Sequence, residues 1–300
     1  MQKHLSVKNP VDNVVLNADL FYNDSSTKGL VQIFHGMVET RKYYQKLVDC
    51  LLENGYAVLN CDHRGHGESA VVYGHFADED GWKRNLEDLH SLYLQAKEII
   101  DLPLIVFGHS MGTLVARCYL KYYEKDITKV LLSGMACDNK AIDVGISLVK
   151  LIRLVKGKEY RSSLIDSLLF GSFNKQVNGT RTPFEWLSTN EEFVDQYIAD
   201  PECGYIFTTQ GYLDLLLGTK DVYTPGWNVK KPDCAIGFFS GEFDPCMGKE
   251  EGMKRAVAFL KKEGYNNVTY RIYPNMRHVI LHERNNEQVF TDILAFLEAE

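Results

Sequence analysis

The chain has 300 residues, is 45% hydrophobic, and carries 33 basic against 40 acidic side chains, a formal net charge of −7. That apolar content is enough to bury a large core, either as one domain or as a core with an inserted subdomain. A surface that binds nucleic acid needs clustered excess Lys and Arg, which the acidic balance argues against. We therefore expect a globular protein with no nucleic-acid partner.

The amino terminus and the cysteines indicate the compartment. Residues 1–7 contain no apolar signal-peptide core, and no stretch of the chain reaches the roughly 18 apolar residues of a membrane span. The seven cysteines are odd in number and widely spaced, and none forms a C-x-x-C pair. We therefore expect a cytoplasmic protein with reduced thiols and without a structural zinc site.

The first 135 residues alternate between strand-like and helix-like patterns. Two short alternating stretches, 4–8 and 14–22, predict an antiparallel hairpin. Apolar runs that predict buried strands then follow at 30–34, 57–61, 104–107 and 130–133, with helical spacing between them. Such alternation is typical of a mostly parallel sheet with helices on both faces.

Beyond residue 134 the rhythm changes. The segment 135–205 is helical or irregular, and strand patterns resume at 235–239 and 268–273 before a last helix. The sequence therefore predicts an α/β core made of residues 1–134 and 206–300, with 135–205 as an inserted helical cap.

The stretch Gly108-His109-Ser110-Met111-Gly112 lies between a predicted buried strand and a predicted helix. A serine that acts as a nucleophile has to be raised out of the fold at a sharp turn, and a glycine two residues to each side lets the backbone pack closely there. The pattern predicts a nucleophile elbow with Ser110 as the candidate nucleophile.

Polar residues just after later strands are candidates for its partners, because binding sites in open α/β sheets lie beyond the carboxyl ends of the strands. Asp244 and His278 follow the last two predicted strands, and the order serine, acid, histidine is that of α/β-hydrolases. We expect His278 to be the base and Asp244 to hold its imidazole. Glu242 and Asp138 remain alternative acids.

An oxyanion hole needs two backbone N–H groups, one from the residue after the nucleophile and one from the loop after an earlier strand. Met111 follows Ser110 directly, and the loop His35-Gly36-Met37 follows the strand at 30–34. We therefore expect the oxyanion hole to consist of the Met37 and Met111 amides.

Two histidine motifs raise the question of a metal. In 62–69, His63 and His66 stand beside Asp62, but Gly65 and Gly67 indicate a turn rather than a rigid ligand platform. His278 and His282 are four residues apart but lack the glutamate of H-E-x-x-H. We interpret 62–69 as a structural turn near the site and expect neither a metal nor an organic cofactor.

The cap segment contains a helix-like stretch, 144–155, in which bulky apolar residues are interleaved with Lys150, Arg153 and the following Lys156. Three interpretations stay open for it: a helix packed on the core, a wall of an acyl-chain pocket, or a transient contact with an anionic membrane surface.

Taken together, these motifs resemble the α/β-hydrolase family of monoacylglycerol lipases and bacterial lysophospholipase-like hydrolases, which also carries the label serine aminopeptidase. The resemblance rests on His35-Gly36-Met37, the 62–69 stretch, the Ser110 pentapeptide, Asp244-Pro245, Arg277-His278, and the cap stretches 181–188 and 200–204. It implies a Ser110–Asp244–His278 triad and hydrolysis of esters with a single acyl chain.

We therefore predict a serine carboxylester hydrolase whose partner is a small acyl ester such as a monoacylglycerol or a lysophospholipid. An aminopeptidase or amidase with the same triad is the first alternative, and a hydrolase-fold ligand-binding protein is the second. Cys246, two residues after Asp244, is expected near the site. Acyl-chain length, head group and oligomeric state do not follow from the sequence.

Overall fold

The computed structural model describes residues 1–177 and 180–299. Its strands are β1 (Gln2–Lys8), β2 (Val15–Phe21), β3 (Gly29–Phe34), β4 (Tyr56–Cys61), β5 (Leu104–His109), β6 (Ile127–Ser133), β7 (Ala235–Gly241) and β8 (Val268–Tyr273). They form one sheet in the order β1-β2-β4-β3-β5-β6-β7-β8. Pairing is antiparallel at β1–β2 and β2–β4 and parallel everywhere else. The predicted hairpin and the mostly parallel sheet are confirmed.

The helices are α1 (Gln45–Glu53), α2 (Gly81–Lys97), α3 (Met111–Tyr123), α4 (Ile142–Lys156), α5 (Ser163–Phe170), α6 (Glu191–Ala199), α7 (Thr209–Val222), α8 (Lys249–Glu263) and α9 (Glu287–Glu298). Helices α2, α3 and α8 pack on one face of the sheet, and α1 and α9 pack on the other. Helices therefore cover both faces, as predicted.

The central strands β3, β4 and β5 are buried along their whole length. Strands that are covered on both faces carry continuous apolar runs instead of an alternating pattern, which is why the sequence marks them so clearly. The edge strand β1 is exposed along most of its length. The core is therefore deepest around β3 and β5, whose carboxyl ends lead directly into the candidate site.

Among the described residues between β6 and β7 are the helices α4 to α7. The segment 135–205 contains α4, α5 and α6, and its assignment as an inserted cap stays a prediction. Helix α7 follows the predicted boundary and contacts the cap helix α4 as well as the core helices α2 and α3. It therefore joins the insertion to the core.

None of the helices in the described part of the chain is long and apolar enough to cross a membrane.

Candidate active site

The carboxyl ends of β3, β5, β7 and β8 lie at one edge of the sheet, since these strands belong to its parallel part. The loop His35-Gly36-Met37 follows β3, Ser110 follows β5, Asp244 follows β7 and His278 follows β8. All the residues singled out from the sequence as catalytic candidates are thus carried by this edge, where open α/β sheets bind ligands.

Ser110 has a positive backbone φ, with φ 52° and ψ −119°, a combination that favours glycine. A non-glycine residue there is strained by about 1–3 kcal/mol, so the surroundings have to hold it. The Ser110 N–H donates to the Ser133 carbonyl at 2.9 Å. Its own carbonyl accepts from the Thr113 N–H at 2.9 Å and from the Thr113 hydroxyl at 2.7 Å. The predicted sharp turn between strand and helix is present.

Two glycines allow this turn to be so tight. A Cβ on Gly108 would overlap the carbonyl of Gly112, and a Cβ on Gly112 would overlap the carbonyl of Phe34 at the end of β3. Because the obstructing atoms belong to the backbone, they cannot move aside at low cost. The elbow pattern therefore reflects the close approach of β3, β5 and α3.

The His278 imidazole donates from Nδ1 to Asp244 Oδ1 at 2.9 Å, and both side chains are buried. Asp244 Oδ1 also accepts from the Cys246 N–H at 2.8 Å. The Trp186 ring lies against the imidazole, with ring centroids 5.0 Å apart. An imidazole that donates from Nδ1 in this way has its acceptor lone pair on Nε2, which lies 3.9 Å from Cys246 Sγ.

The two alternative acids have other partners. Glu242 is exposed and accepts from the Asn275 N–H at 3.0 Å. Asp138 forms an ion pair with Arg255 at 2.7 Å. Of the three acids weighed from the sequence, Asp244 is the one that bonds His278.

The loop after β3 lies directly beside the nucleophile, since a Cβ on Gly36 would come within 3.1 Å of the Ser110 Cβ. Its conformation is held by Glu39, whose Oε1 accepts from the Gly36 N–H at 2.5 Å and from the Tyr44 hydroxyl at 2.5 Å. Burial raises the pKa of Glu39, and these hydrogen bonds oppose that rise. Met37 follows in the same loop.

Met111 is the first residue of α3. The first N–H groups of a helix have no acceptor within the helix, so this amide is free to face a ligand beside Ser110. That the Met37 and Met111 amides form the oxyanion hole stays a prediction.

The 62–69 stretch forms a buried turn next to this loop. Asp62 pairs with Arg41 through a short contact, and burial lowers the pKa of His63 to about 3 and that of His66 to about 4. Because Asp62 forms an ion pair with Arg41, we interpret the stretch as a structural turn. Among the described residues, the one group of three side chains close enough to share a metal is Asp244, Cys246 and His278.

Two cavities of about 240 Å³ each meet at Ser110. They share a boundary made of Met37, Ser110, Phe170, Phe173 and Cys246. We call the first the histidine-side cavity, because His278 and Trp186 line it. We call the second the leucine-lined cavity, after Leu114, Leu169, Leu215 and Leu216.

The two cavities differ in polarity. The histidine-side cavity has the acidic residues Glu39 and Asp166 within a lining that is otherwise largely aromatic and apolar, and no Lys or Arg is among its described lining residues. The leucine-lined cavity is bordered by α3, α5 and α7, with Asp138 and Asn139 on its wall. One side of Ser110 can therefore accept a polar group and the other an apolar chain.

Three features of this site were not predicted from the sequence: Glu39, Trp186, and the contribution of α7. The sequence signal that could have predicted Glu39 is its place two residues after the proposed oxyanion loop. Trp186 reaches His278 only through the fold, since about 90 residues separate them along the chain.

The family model described as serine aminopeptidase, S33, of the Hydrolase_4 type, matches residues 25–285. The chain belongs to this family. A relative named monoacylglycerol lipase from Mycolicibacterium smegmatis is 24% identical over 289 residues, which cover 96% of this chain and 94% of that protein.

Solved structures show the same fold. A carboxyl esterase from Bacillus coagulans in complex with glycerol superposes with a TM-score of 0.89 at 23% identity and covers 99% of both chains. A monoacylglycerol lipase from Paleococcus ferrophilus gives a TM-score of 0.71 at 21% identity, covering 94% of this chain and 98% of its own. At these identities the likeness establishes the α/β-hydrolase fold.

Proposed function

We propose that this S33 family member is a serine carboxylester hydrolase that cleaves esters of a single acyl chain, such as monoacylglycerols or lysophospholipids, through an acyl-enzyme. The observation that carries the proposal is the arrangement at Ser110. A strained serine and a histidine hydrogen-bonded to a buried aspartate at 2.9 Å border the same cavity. The name of the Mycolicibacterium smegmatis relative, monoacylglycerol lipase, supports the same substrate class.

In the first half of the reaction His278 Nε2 takes the proton of the Ser110 hydroxyl as the oxygen attacks the ester carbonyl. Asp244 keeps the imidazole in the Nδ1–H tautomer and stabilises the imidazolium that forms. The amides of Met37 and Met111 donate to the oxyanion, a contribution of about 2.7–4 kcal/mol for each donor in comparable enzymes. Collapse of this intermediate passes the proton from His278 to the departing alcohol.

In the second half a water molecule takes the place of the alcohol. His278 removes its proton, the hydroxide attacks the acyl-enzyme, and the acid is released as Ser110 recovers its proton. No step needs a metal or an organic cofactor.

This mechanism indicates which part of the ester each cavity binds. The departing alcohol has to lie near His278, which protonates it, so the alcohol or head group belongs in the histidine-side cavity. The acyl chain then extends into the leucine-lined cavity, whose apolar wall gains free energy from each methylene it covers. The cap, for which we propose the segment 135–205, closes both cavities through α5.

We also propose that the cap touches the lipid surface from which such substrates come. Helix α4 exposes Leu151, Leu154 and Val155, and α5 exposes Leu164 and Leu168, with exposed fractions from 57% to 84%. Lys150 and Lys156 are exposed on α4 as well. An apolar helix face with interspersed cations is suited to an anionic lipid interface.

An amidase or aminopeptidase with the same triad is the second candidate. The observation in its favour is that an acidic residue, Asp166, lines the histidine-side cavity, since an anionic side chain there would attract a substrate ammonium.

The test is hydrolysis of p-nitrophenyl esters from two to sixteen carbons, of a monoacylglycerol and of a lysophospholipid, beside an aminoacyl arylamide. Ser110→Ala is expected to lower ester turnover by about 10⁴-fold or more while leaving thermal unfolding intact. Ser91→Ala, at an exposed serine of α2, is the matched control.

A fluorophosphonate label supplies a readout that does not depend on the choice of substrate. It should add to wild type and to Ser91→Ala but not to Ser110→Ala, as measured by intact mass. Substantial ester hydrolysis by pure Ser110→Ala protein contradicts the mechanism, and a clear preference for the arylamide moves the assignment to the second candidate.

A further inference from the structure

The proposed catalytic histidine lies in a long loop. His278 belongs to the connection 274–286 between β8 and α9, which we call the histidine loop. A loop of this length has many accessible conformations, and fixing one of them costs conformational entropy. Proton transfer also depends on placement, since a shift of about 1 Å can lower a rate about 10²-fold. Contacts other than the Asp244 bond are therefore needed to hold the backbone of this loop.

The segment 185–189, which lies in the proposed cap, supplies such contacts. The His278 N–H donates to the Trp186 carbonyl at 3.4 Å, and the Val279 N–H donates to the Leu187 carbonyl at 2.7 Å. The Trp186 ring also lies against the imidazole. The position of the histidine is therefore set in part by a segment that precedes β7 in the chain.

Arg277, the residue before the histidine, holds both ends of this segment. Its Nη1 donates to the Glu185 carbonyl at 2.6 Å and to the Ser188 carbonyl at 3.0 Å, and it lies 3.5 Å from Glu185 Oε2. The Arg277 side chain is 13% exposed and the Glu185 side chain 2%, so the solvent screens these contacts little. The two carbonyls flank Trp186 and Leu187, whose own carbonyls accept from the histidine loop.

Glu283 fixes the far end of the histidine loop to the same segment. Its Oε1 accepts from the Arg277 N–H at 2.7 Å, and its Oε2 accepts from the Thr189 N–H at 2.9 Å. Glu283 is buried, and a buried carboxylate needs partners of this kind for both oxygens. The loop and the segment therefore form one hydrogen-bonded unit, with His278 and Trp186 inside it.

We propose that Arg277 is a positioning residue, which fixes the segment 185–189 against the histidine loop and so places the His278 imidazole for proton transfer. This role rests on the proposed function, because it requires that His278 acts on Ser110. Arg277 is not among the described residues that line either cavity, so it acts through the histidine and not on the ester. A movement of the segment away from the loop would also move the imidazole, which couples the proposed cap to the proposed triad.

Removal of the guanidinium should loosen this contact without unfolding the protein. Glu185 keeps other partners, because Arg181 lies 3.2 Å from its Oε1 and the Thr182 hydroxyl donates to the same oxygen at 3.2 Å. The backbone bonds between the loop and the segment also remain. A lysine ammonium can replace the bonds to the two carbonyls only in part, because its flexible stem fixes it less well. We therefore expect Arg277→Lys to be intermediate between wild type and Arg277→Ala.

The kinetic test uses the ester that wild type hydrolyses best in the chain-length assay. We expect Arg277→Ala to lower kcat by about 10- to 100-fold with little change in KM, because the bound ester keeps its contacts while the imidazole is misplaced. The rate of fluorophosphonate labelling at Ser110 should fall by a similar factor. Guanidinium ion, well below denaturing concentrations, should restore part of kcat in Arg277→Ala, whereas sodium ion should not. Arg284→Ala, at an exposed arginine of the same loop, is the matched control and should keep the kcat of wild type.

A second readout, proton NMR, does not need activity. The Nδ1 proton of His278 in its bond to Asp244 should resonate far downfield of the amide protons, and its absence from Asp244→Asn identifies it. We expect this resonance in wild type and in Arg284→Ala, and its loss or broadening in Arg277→Ala. Arg277→Lys serves if the alanine variant misfolds, with circular dichroism as the check.

Either of two results overturns the proposal: the kcat of wild type in folded Arg277→Ala, or an unchanged Nδ1 resonance in that variant. Failure of the proposed function looks different. If wild type hydrolyses no ester and takes up no fluorophosphonate, the proposed function is wrong, and the resonance alone then decides whether Arg277 positions the imidazole.

Discussion

Narrowing the leucine-lined cavity should shorten the acyl chain that the protein prefers. Leu169 lies on α5, is half buried and lines this cavity, whose volume is about 240 Å³. In Leu169→Trp the larger ring system takes up space in which the end of the acyl chain would otherwise lie. Short esters that never reach this wall should be little affected.

The size of the change in kcat/KM follows from the free energy gained for each methylene that is buried. Each buried methylene contributes about 0.8 kcal/mol, so kcat/KM should rise about fourfold for each added carbon until the cavity is full. If the indole excludes two methylenes, the loss for a long ester is about 1.6 kcal/mol, or about 15-fold in kcat/KM relative to a four-carbon ester.

The assay is the chain-length profile of p-nitrophenyl esters, each measured below its solubility limit. Leu168→Trp is the matched control, because the neighbouring leucine on the same helix is 62% exposed and faces away from the cavity. We expect the optimum to shift to shorter chains in Leu169→Trp and to stay where it is in Leu168→Trp. An unchanged profile in folded Leu169→Trp protein would refute the assignment of the acyl chain to this cavity.

Three further predictions concern charge and surface. Burial raises the pKa of Asp214 to about 7 from 3.8, against the lowering effect of the Gln210 side chain and the amides at the start of α2. The folded state therefore holds this proton to higher pH than the unfolded state, so the free energy of unfolding falls as pH rises from about 4 to about 7. We expect the free energy of unfolding of Asp214→Asn, relative to that of wild type, to rise by about 2–3 kcal/mol from pH 5 to pH 8.5, as measured by urea denaturation. If the two proteins show parallel pH profiles, the prediction is wrong. The carboxyl groups of the histidine-side cavity should favour a neutral monoacylglycerol over a lysophosphatidic acid of equal chain length in kcat/KM, and Asp166→Asn should narrow the difference. Leu154→Asp with Leu168→Asp should weaken co-sedimentation with anionic vesicles, whereas Val11→Asp, at a valine 69% exposed on the distant hairpin, should not.

The fold was predictable where burial leaves a regular pattern. The fully buried strands β3, β4 and β5 appear as unbroken apolar runs, and the predicted helices with one exposed face appear at helical spacing. Helix α7 was missed because it is buried nearly all round, at Tyr212, Leu213, Leu215 and Leu216 among others, and so lacks an amphipathic stripe. It contacts both the cap and the core, so its omission also hid one wall of the leucine-lined cavity.

The candidate site was predictable as a set of residues but not as an arrangement. Ser110, Asp244 and His278 follow from a local motif and from chain order beyond the strands. The Asp244 to His278 bond, the Glu39 support of the Gly36 loop and the approach of Cys246 to Nε2 do not. Each of these joins loops that are far apart along the chain or depends on a side-chain rotamer, which periodicity does not encode.

The sequence by itself determined the strand–turn–helix that presents Ser110, because an apolar run, a G-x-S-x-G pentapeptide and helical spacing follow one another along the chain. The sequence also determined the order in which polar residues follow the parallel strands along the chain, since apolar runs and the residues after them can be read locally. The tertiary structure alone decided which acid bonds the imidazole, where the two cavities meet and which thiol lies beside the histidine. Those outcomes depend on how separate loops and helices pack against one another, and packing is a property of the whole folded chain.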